Sequence, residues 1–228
     1  MIIPTEAVVL RSEDTGEHDE RLTLYTREMG KLKAKITGVK KSRSKLRLLT
    51  VPFAETRLQI FLAGTPRNAW GRPGKVITGE VLNFRSTLRT DCERMIHSSI
   101  FCETLDTLTH HFYPNEREYK LLTATLDQME TTASPLCLRL KSTLTLLNIL
   151  GYSVRHNDYW LRLPGDDRAL LDRLARWSPE THSFTDEESK RMESAAETYL
   201  SHYLSGPLKS RLFQKKMSSM RETMYAVT

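Results

Sequence analysis

Residues 31–39 read KLKAKITGV, a segment in which lysines alternate with apolar side chains. Successive side chains of a β-strand point to opposite faces of a sheet, so this alternation predicts a strand with one apolar face and one basic face. The residues predicted to face a core are Leu32, Ala34 and Ile36. The residues predicted to form the basic face are Lys31, Lys33 and Lys35.

The sequence on both sides of this strand has the pattern of further short strands and turns. Upstream, EAVVLRSEDTGEHDERLTLYT predicts a hairpin, because alternating segments flank a polar turn that contains Gly16. Downstream, residues 40–46 (KKSRSKL) have no apolar periodicity and predict an exposed basic loop. More strands are predicted in VPFAETRLQIFLA and KVITGEVLNF. Short strands joined by short turns favour a small β-barrel over an α/β sheet.

From about residue 87 the apolar residues recur with the period of an α-helix. Two apolar stripes, Phe101–Phe112 and Tyr119–Met129, predict amphipathic helices. A leucine-rich stretch that ends at Gly151 is apolar on more than one side and predicts a central helix. Thr185 and Glu188 have the spacing of a capping box and predict the start of another helix. We therefore expect an α+β protein, with a barrel domain at residues 1–80 and an all-α domain at residues 81–228.

Within the helical domain, residues from about 152 to 184 are expected to form an irregular insertion. No apolar run approaches the eighteen residues of a membrane-spanning helix, and the first residues lack the pattern of a secretory signal. These features predict a cytoplasmic protein that does not span a membrane.

The positive charge is concentrated near the start of the chain. The first 80 residues hold 15 Lys and Arg against 9 Asp and Glu, whereas the remaining residues hold 19 of each. Between Arg27 and Arg47, nine cationic residues accompany a single acid, Glu28. Such a cluster attracts a polyanion, which can be nucleic acid, an anionic membrane surface or an acidic protein segment. The alternative interpretation is a solvated basic face with no partner.

A barrel with cationic side chains on its second and third strands matches the way OB-folds hold single-stranded nucleic acid. The predicted nucleic-acid contacts are Arg21, Tyr25, Arg27, Lys31, Lys33, Lys35, Lys40, Lys41, Arg43 and Lys45. Tyr25 is included because the alternation places it on the outward face, where an aromatic ring stacks on bases. Further stacking candidates are Phe53, Phe61 and Trp70. For each aromatic residue the alternative is packing in the core.

The sequence lacks the motifs of common phosphate, dinucleotide, acyl-transfer and zinc-peptidase sites, so catalysis is disfavoured. Cys92, His97 and Cys102 are spaced by five residues, which on a helix separates neighbours by about 140°. Three ligands so arranged do not converge on one metal ion. We therefore predict no metal and no cofactor, and expect the cysteines to be reduced and buried.

In their order and spacing, these segments resemble the RecO family of bacterial recombination mediators. Residues 6–46 resemble the opening of that family, with Thr26 and Gly30 in a T-x-x-x-G turn and TGVKKSRS (37–44) in its basic loop. VPFAETRLQI resembles the family's following strand, and EVLNFRSTLRTDCERM resembles its transition to helices. SGPLKSRLF resembles a segment near the family's C-terminus.

The resemblance implies an N-terminal OB-fold, a helical C-terminal domain and a nucleoid-associated role in DNA repair and homologous recombination. It implies binding to single- and double-stranded DNA, annealing of complementary strands, and action with RecR. It also implies binding to the acidic C-terminal tail of single-stranded DNA-binding protein, which helps to load RecA. Many relatives carry a four-cysteine zinc finger, but no cysteine follows Cys137 here. We therefore expect the finger to be absent and the region to pack through Tyr159, Trp160, Leu161 and Leu163.

Cationic residues of the helical domain are candidates for binding such an acidic tail. The candidates are Arg139, Lys141, Lys209 and Arg211. Arg139 and Lys141 are alternatively the solvent edge of their helix, and the C-terminal cations alternatively extend a DNA path or offset a helix dipole. Two other functions remain open at this point, an RNA-binding OB-fold module and a non-catalytic protein adaptor.

Overall fold

The computed structural model describes residues 1–42, 44–63, 73–152, 158–178 and 184–225. The chain forms two compact units. The first consists of Met1–Leu88 and Thr109–Asp127, and the second of Arg89–Leu108 and Gln128–Thr228. Two of the predicted contact residues, Arg43 and Trp70, lie outside the described residues.

The first unit is built around a closed five-stranded barrel. Its strands are Ile2–Asp14 (β1), Glu20–Thr26 (β2), Gly30–Ile36 (β3), Glu55–Phe61 (β4) and Gly74–Asn83 (β5). The order around the barrel is β1-β2-β3-β5-β4, and β1 closes it by pairing with both β2 and β4. The neighbouring strands are antiparallel except for the parallel pair β3 and β5. This arrangement confirms the predicted N-terminal OB-fold.

Alternation along β3 places the apolar side chains inside the barrel, as the sequence predicts. Leu32, Ala34 and Ile36 are completely buried, and Leu22 and Leu24 of β2 pack beside them. Burial of such side chains stabilises a fold by about 1.5–3 kcal/mol each. The closed barrel therefore fixes which side chains of β2 and β3 point outward.

The remaining described elements are helical. The helices are Thr87–Thr90 (α1), Cys92–Leu108 (α2), Glu116–Met129 (α3), Pro135–Ile149 (α4), Asp158–Arg162 (α5), Gly165–Ala175 (α6), Asp186–Ser201 (α7) and Lys209–Tyr225 (α8). A short 3-10 turn lies at Arg47–Thr50. The predicted stripe Phe101–Phe112 is wrong at its end, because α2 stops at Leu108 and Phe112 has a positive φ of 58°. A helix cannot continue through a residue in that conformation.

In the second unit α4 packs against α2, α6 and α7, and α8 packs against α2. The leucine-rich α4 therefore has the central place predicted for it, and Thr185 and Glu188 form the predicted capping box of α7. Trp160 and Leu163 are buried as expected, whereas Leu161 is exposed and Tyr159 is half-exposed, stacking on His202. None of the described helices is long and apolar enough to cross a membrane.

Residues 109–127, including most of α3, belong to the compact unit that contains the barrel. The hydroxyl of Tyr25 in β2 donates to the carboxylate of Glu118, and the hydroxyl of Tyr119 donates to Glu55 in β4 at 3.0 Å. The boundary predicted from the sequence, near residue 80, instead places this segment in the helical domain. The division of the chain into independently folding domains at residues 1–80 and 81–228 stays a prediction.

Arg85 is the largest charged side chain buried in this unit, and its guanidinium joins three separate segments. It donates to the backbone oxygen of Phe53 at 2.9 Å, to Glu55 at 2.8 Å and to Asp127 of α3 at 2.7 Å. Because its side chain is completely buried, solvent does not screen these interactions as it does at the surface. No local pattern in the sequence distinguishes Arg85 from an exposed arginine.

We expect Arg85→Met to destabilise the barrel unit by about 3 kcal/mol, because removing the buried guanidinium leaves the buried carbonyl oxygen of Phe53 unpaired and deprives Glu55 and Asp127 of this cation. The matched control is Arg57→Met. Arg57 also contacts two carboxylates, Glu6 and Glu80, but its side chain is 54% exposed. Its replacement should cost much less than that of Arg85, because water and salt screen an exposed ion pair. Urea unfolding followed by circular dichroism measures both, and equal losses would contradict the role assigned to Arg85.

Candidate nucleic-acid interface

The register of β2 and β3 shows which predicted contacts share the outer face of the barrel. Arg21 lies opposite Lys35, Thr23 opposite Lys33, and Tyr25 opposite Lys31. Directly opposed residues of antiparallel strands point to the same face of a sheet. Arg21 and Lys33 are exposed and Lys35 is partly exposed, so one end of this face has the predicted basic character.

The other end of the face is covered, and the prediction that Tyr25 and Lys31 are accessible there is wrong. Tyr25 is completely buried and Lys31 is only 6% exposed. Burial, followed by the hydrogen bond to Glu118, raises the pKa of Tyr25. The backbone N–H of Phe112 donates to the backbone oxygen of Lys31 at 2.9 Å, so residues 109–127 shield this end from solvent.

Gly30 allows this covering segment to approach the barrel. A Cβ atom at position 30 would lie 2.3 Å from the backbone oxygen of Tyr113, and the φ of Gly30 is +67°. Glycine alone satisfies both the close approach and the left-handed conformation without strain. The glycine of the T-x-x-x-G turn therefore has a structural role at the covered end of the face.

Two lysines of the predicted contact set form ion pairs with the acidic β1–β2 hairpin. Lys35 lies 2.8 Å from Asp19, and Lys40 lies 2.6 Å from Asp14. The hydrogen bond from Lys35, reinforced by the backbone N–H of Gly38, lowers the pKa of Asp19. An anionic ligand must therefore compete with these carboxylates for Lys35 and Lys40.

Arg27 lies at the other end of β2 and is also paired within the protein. It contacts Glu6 at 3.3 Å and Glu116 at 3.9 Å. Its side chain is 48% exposed, so these are surface ion pairs of modest strength. Arg27 is separated from the exposed basic end by the covered pair Tyr25 and Lys31.

Several exposed cations of the barrel unit have no carboxylate within ion-pair distance among the described residues. These are Arg21, Lys33, Lys41, Lys45, Arg47 and Lys75. Arg47 and Lys75 were not among the predicted contacts. Lys75 was missed because its position depends on the parallel pairing of β5 with β3, which the local sequence of β5 does not reveal. We refer to these six residues together with Lys35 as the basic face.

Four cross-strand pairs connect the basic face to β4 and to the start of β1. Arg21 lies opposite Lys35, Lys35 beside Lys75, Lys75 opposite Phe61, and Phe61 opposite Ile2. Neighbouring strands are about 4.8 Å apart, so the distance across the sheet from Arg21 to Phe61 is about 14 Å. The row has cations at one end and apolar side chains at the other.

In the second unit, two of the predicted partner contacts already serve the fold. Arg139 is only 3% exposed; its guanidinium donates to His97 Nδ1 at 3.1 Å and to Glu193 at 2.6 Å. Lys141 donates to the backbone oxygen of Trp177 at 2.6 Å. The prediction that Arg139 is an accessible contact is therefore wrong, and Lys141 has a structural partner.

The other two predicted partner contacts lie at the start of α8. Lys209 is exposed, whereas Arg211 is half-buried and pairs with Glu193 and Glu197. A cavity of about 340 Å³ lies beside Arg211. Its apolar lining includes Ile100, Leu200, Leu204, Leu208 and Leu212. Lys215, which is 60% exposed, also lines this cavity and pairs with Glu197 at 3.4 Å.

The cysteines do not converge on a ligand site. Cys102 and Cys137 are buried and free, and burial raises the pKa of Cys137 to about 11. Cys92 is also free but exposed, so the expectation that it is buried is wrong. Across the described residues, no group of three His, Cys, Asp or Glu side chains is placed to hold a metal ion.

A closed OB-fold barrel with a partly free basic face, followed by a helical unit, defines an OB-fold protein with a candidate polyanion interface. Comparison with known proteins agrees with this class. The family models described as Recombination protein O N terminal and Recombination protein O C terminal match residues 1–67 and 89–158. The chain belongs to the RecO family.

Relatives in several bacteria bear the name DNA repair protein RecO. The chain is 31% identical to that of Clostridium perfringens over 159 residues, which cover 69% of this chain and 61% of the relative. It is 32% identical to that of Bacillus pumilus over 126 residues, which cover 55% of this chain and 46% of the relative. It is 37% identical to that of Pelotomaculum thermopropionicum over 117 residues, which cover 51% of this chain and 43% of the relative. The match thus spans about half the length of these relatives.

The buried cluster around Arg139 predicts a specific dependence of stability on pH. Burial, with the nearby charges of Arg139 and Arg211, lowers the pKa of His97 from 6.5 to about 3. Below pH 6.5 the unfolded chain therefore binds a proton at His97, whereas the folded chain keeps His97 neutral. Because the unfolded state binds more protons, the free energy of unfolding falls as the pH decreases from 6.5 towards 3. His97→Gln, which retains an acceptor for Arg139, should lose this component.

Urea unfolding midpoints at pH 7, 6 and 5 test this expectation. The difference between the wild type and His97→Gln should shift in favour of the variant as the pH falls. Other titrating groups are common to both proteins and cancel in the comparison. Parallel pH dependences would show that the folded protein does not hold His97 neutral.

Proposed function

We propose that this chain is a non-catalytic mediator of DNA repair and homologous recombination that binds single- and double-stranded DNA through the basic face. The observation that supports the proposal is the basic face, whose cations lie on β2, on β3, on β5 and in the segment that follows β3. Six of these seven cations lack a carboxylate partner among the described residues. Membership of the RecO family and the name of the relatives support the role in DNA repair.

The proposed contacts explain how a protein without a catalytic site promotes annealing. Lysine and arginine neutralise phosphates and release counterions, which lowers the mutual repulsion of two strands. Phosphate contacts position a nucleic acid and leave its base edges free to pair. Binding confined largely to the backbone is therefore suited to bringing complementary strands together. It is compatible with both single- and double-stranded DNA.

The same basic face would also hold RNA, so an RNA-binding OB-fold module is the principal alternative. Direct competition between single-stranded DNA, single-stranded RNA and duplex DNA separates the two functions. The DNA proposal predicts that unlabelled DNA displaces a labelled DNA strand at least as well as RNA does, and that the protein accelerates annealing of complementary DNA. Strong preference for RNA would favour the alternative, and no nucleic-acid affinity would favour a protein adaptor.

We expect replacement of Lys33, Lys41 and Lys75 by alanine to weaken DNA binding without unfolding the barrel, because all three side chains are exposed. Each contact with a single strand contributes about 0.7 to the slope of log affinity against log salt, so the slope should shrink by about 2. Fluorescence anisotropy of a labelled oligonucleotide at several salt concentrations measures it, and annealing should slow in parallel.

The matched control replaces three exposed lysines elsewhere, Lys120, Lys190 and Lys216, and changes the net charge equally. Its salt slope should remain close to that of the wild type. An equal change in both triple variants would show that net charge, and not the basic face, determines affinity.

The proposal also includes protein partners implied by the family resemblance, namely RecR and the acidic C-terminal tail of single-stranded DNA-binding protein, with help in loading RecA. For the tail, the cavity beside α8 supplies an apolar lining and the accessible cation Lys215. Exposed Lys209 follows the lining residue Leu208 directly in the chain. Apolar residues at the end of an acidic peptide would enter the cavity, and its carboxylates would contact the cations.

We expect a labelled peptide with acidic residues and an apolar C-terminal end to bind the full chain with an affinity that decreases with salt. Leu212→Glu should weaken binding about tenfold or more, because it places a negative charge in the apolar lining. Phe213→Glu is the matched control, since Phe213 is similarly exposed on α8 but does not line the cavity. Equal peptide affinity of Leu212→Glu and the wild type would place the peptide elsewhere.

A further inference from the structure

An exposed aromatic ring lies directly beside the basic face. Phe61 is the last residue of β4, and 42% of it is exposed. Its cross-strand neighbours are Lys75 on one side and Ile2, which is 55% exposed, on the other. The ring therefore lies on the outer surface of the barrel, next to a cation of the basic face.

Packing inside the barrel does not account for this ring. Ile60 and Leu62, on either side of Phe61 in the chain, are buried in the core, so alternation along β4 turns Phe61 outward. The other described aromatic candidates differ: Tyr25 is completely buried and Phe53 is 4% exposed. Among the described candidates for base stacking, Phe61 is thus the one with an accessible ring.

The position of Phe61 relative to the cations is suited to one class of ligand. The cross-strand row from Phe61 through Lys75 and Lys35 to Arg21 has an aromatic side chain at one end and three cations across the adjoining strands. Single-stranded nucleic acid has the complementary chemistry, because it exposes base faces along a backbone of phosphates. A duplex has the same phosphates but keeps its base faces stacked inside.

We propose that Phe61 stacks on a base of single-stranded DNA while Lys75, Lys35 and Arg21 contact the phosphates that follow. This inference rests on the proposed function and deepens it, because it assigns to one side chain a contact that only unpaired bases can make. The cations act on both forms of DNA, whereas the ring acts on unpaired bases. Stacking is tolerant of sequence, since every base presents an aromatic face.

The test compares the full-length wild type, Phe61→Leu and Phe61→Tyr in binding a single-stranded oligonucleotide and its duplex. Phe61→Leu keeps an apolar side chain but loses the aromatic face, so affinity for the single strand should fall about tenfold. Affinity for the duplex should change by less than about twofold, and the salt slope should not change, because the phosphate contacts remain. Phe61→Tyr keeps an aromatic face and should bind the single strand like the wild type.

Leu82→Ala is the matched control, because Leu82 is 40% exposed and lies on β5 away from the row. It should bind both forms of DNA like the wild type. A Phe61→Trp variant adds a direct reading of contact: its added fluorescence should be quenched by single strands and much less by duplex. Circular dichroism verifies that each variant is folded.

The outcomes separate this inference from the proposed function. If the wild type binds DNA and Phe61→Leu binds single strands equally well, the stacking role is contradicted while the function stands. Equal losses for single strands and duplex would also contradict it, since a ring that only supports the fold has that effect. Absence of DNA binding by the wild type would contradict both. The wild type could also self-associate in a way that Phe61→Leu abolishes, with unchanged DNA affinity. That result would contradict the stacking role and identify Phe61 as a contact between copies of the chain.

Discussion

The buried guanidinium of Arg85 holds the covering segment against the barrel, and the accessible surface of the first unit follows from that contact. Arg85 reaches Phe53 after the 3-10 turn, Glu55 at the start of β4 and Asp127 in α3. Glu55 in turn accepts from Tyr119, so one carboxylate serves both α3 and Arg85. Separating any of these groups would leave a buried polar atom unpaired, which costs more than the loss of an exposed ion pair. The position of residues 109–127 on the barrel is thereby specified.

That covering segment divides the outer face of β2 and β3 into two parts with different properties. At one end Tyr25 and Lys31 are enclosed and contribute to the fold. At the other end Arg21, Lys33 and Lys35 are accessible and continue across the parallel pair to Lys75. Asp19 of the acidic hairpin pairs with Lys35, and Asp14 pairs with Lys40 of the following loop, so a polyanion bound there would replace ion pairs that already exist. Such an exchange would favour reversible binding, as the proposed annealing of strands requires.

Much of the barrel could be predicted from sequence because strand alternation is a local signal, and Leu32, Ala34 and Ile36 are buried as it indicates. The same signal tells which side a residue faces but not what lies against that side. Lys31 and Tyr25 are covered by a segment about eighty residues later in the chain, and Lys75 joins the basic face through a pairing between distant strands. In the helical unit, the local sequence likewise did not reveal that Arg139 is buried and bonded to Glu193 and His97.

Amine footprinting of the full chain, with and without a saturating single-stranded oligonucleotide, tests whether the basic face binds DNA and whether residues 109–127 cover Lys31. An amine-reactive reagent followed by mass spectrometry reports the accessibility of each lysine. We expect protection by DNA at Lys33, Lys41, Lys45 and Lys75, and little change at Lys120, Lys190 and Lys216. Lys31 should react slowly in both states, because residues 109–127 cover it. Rapid labelling of Lys31 in the free protein would contradict the covering of Lys31 by residues 109–127, and equal protection of the two groups of lysines would contradict binding at the basic face.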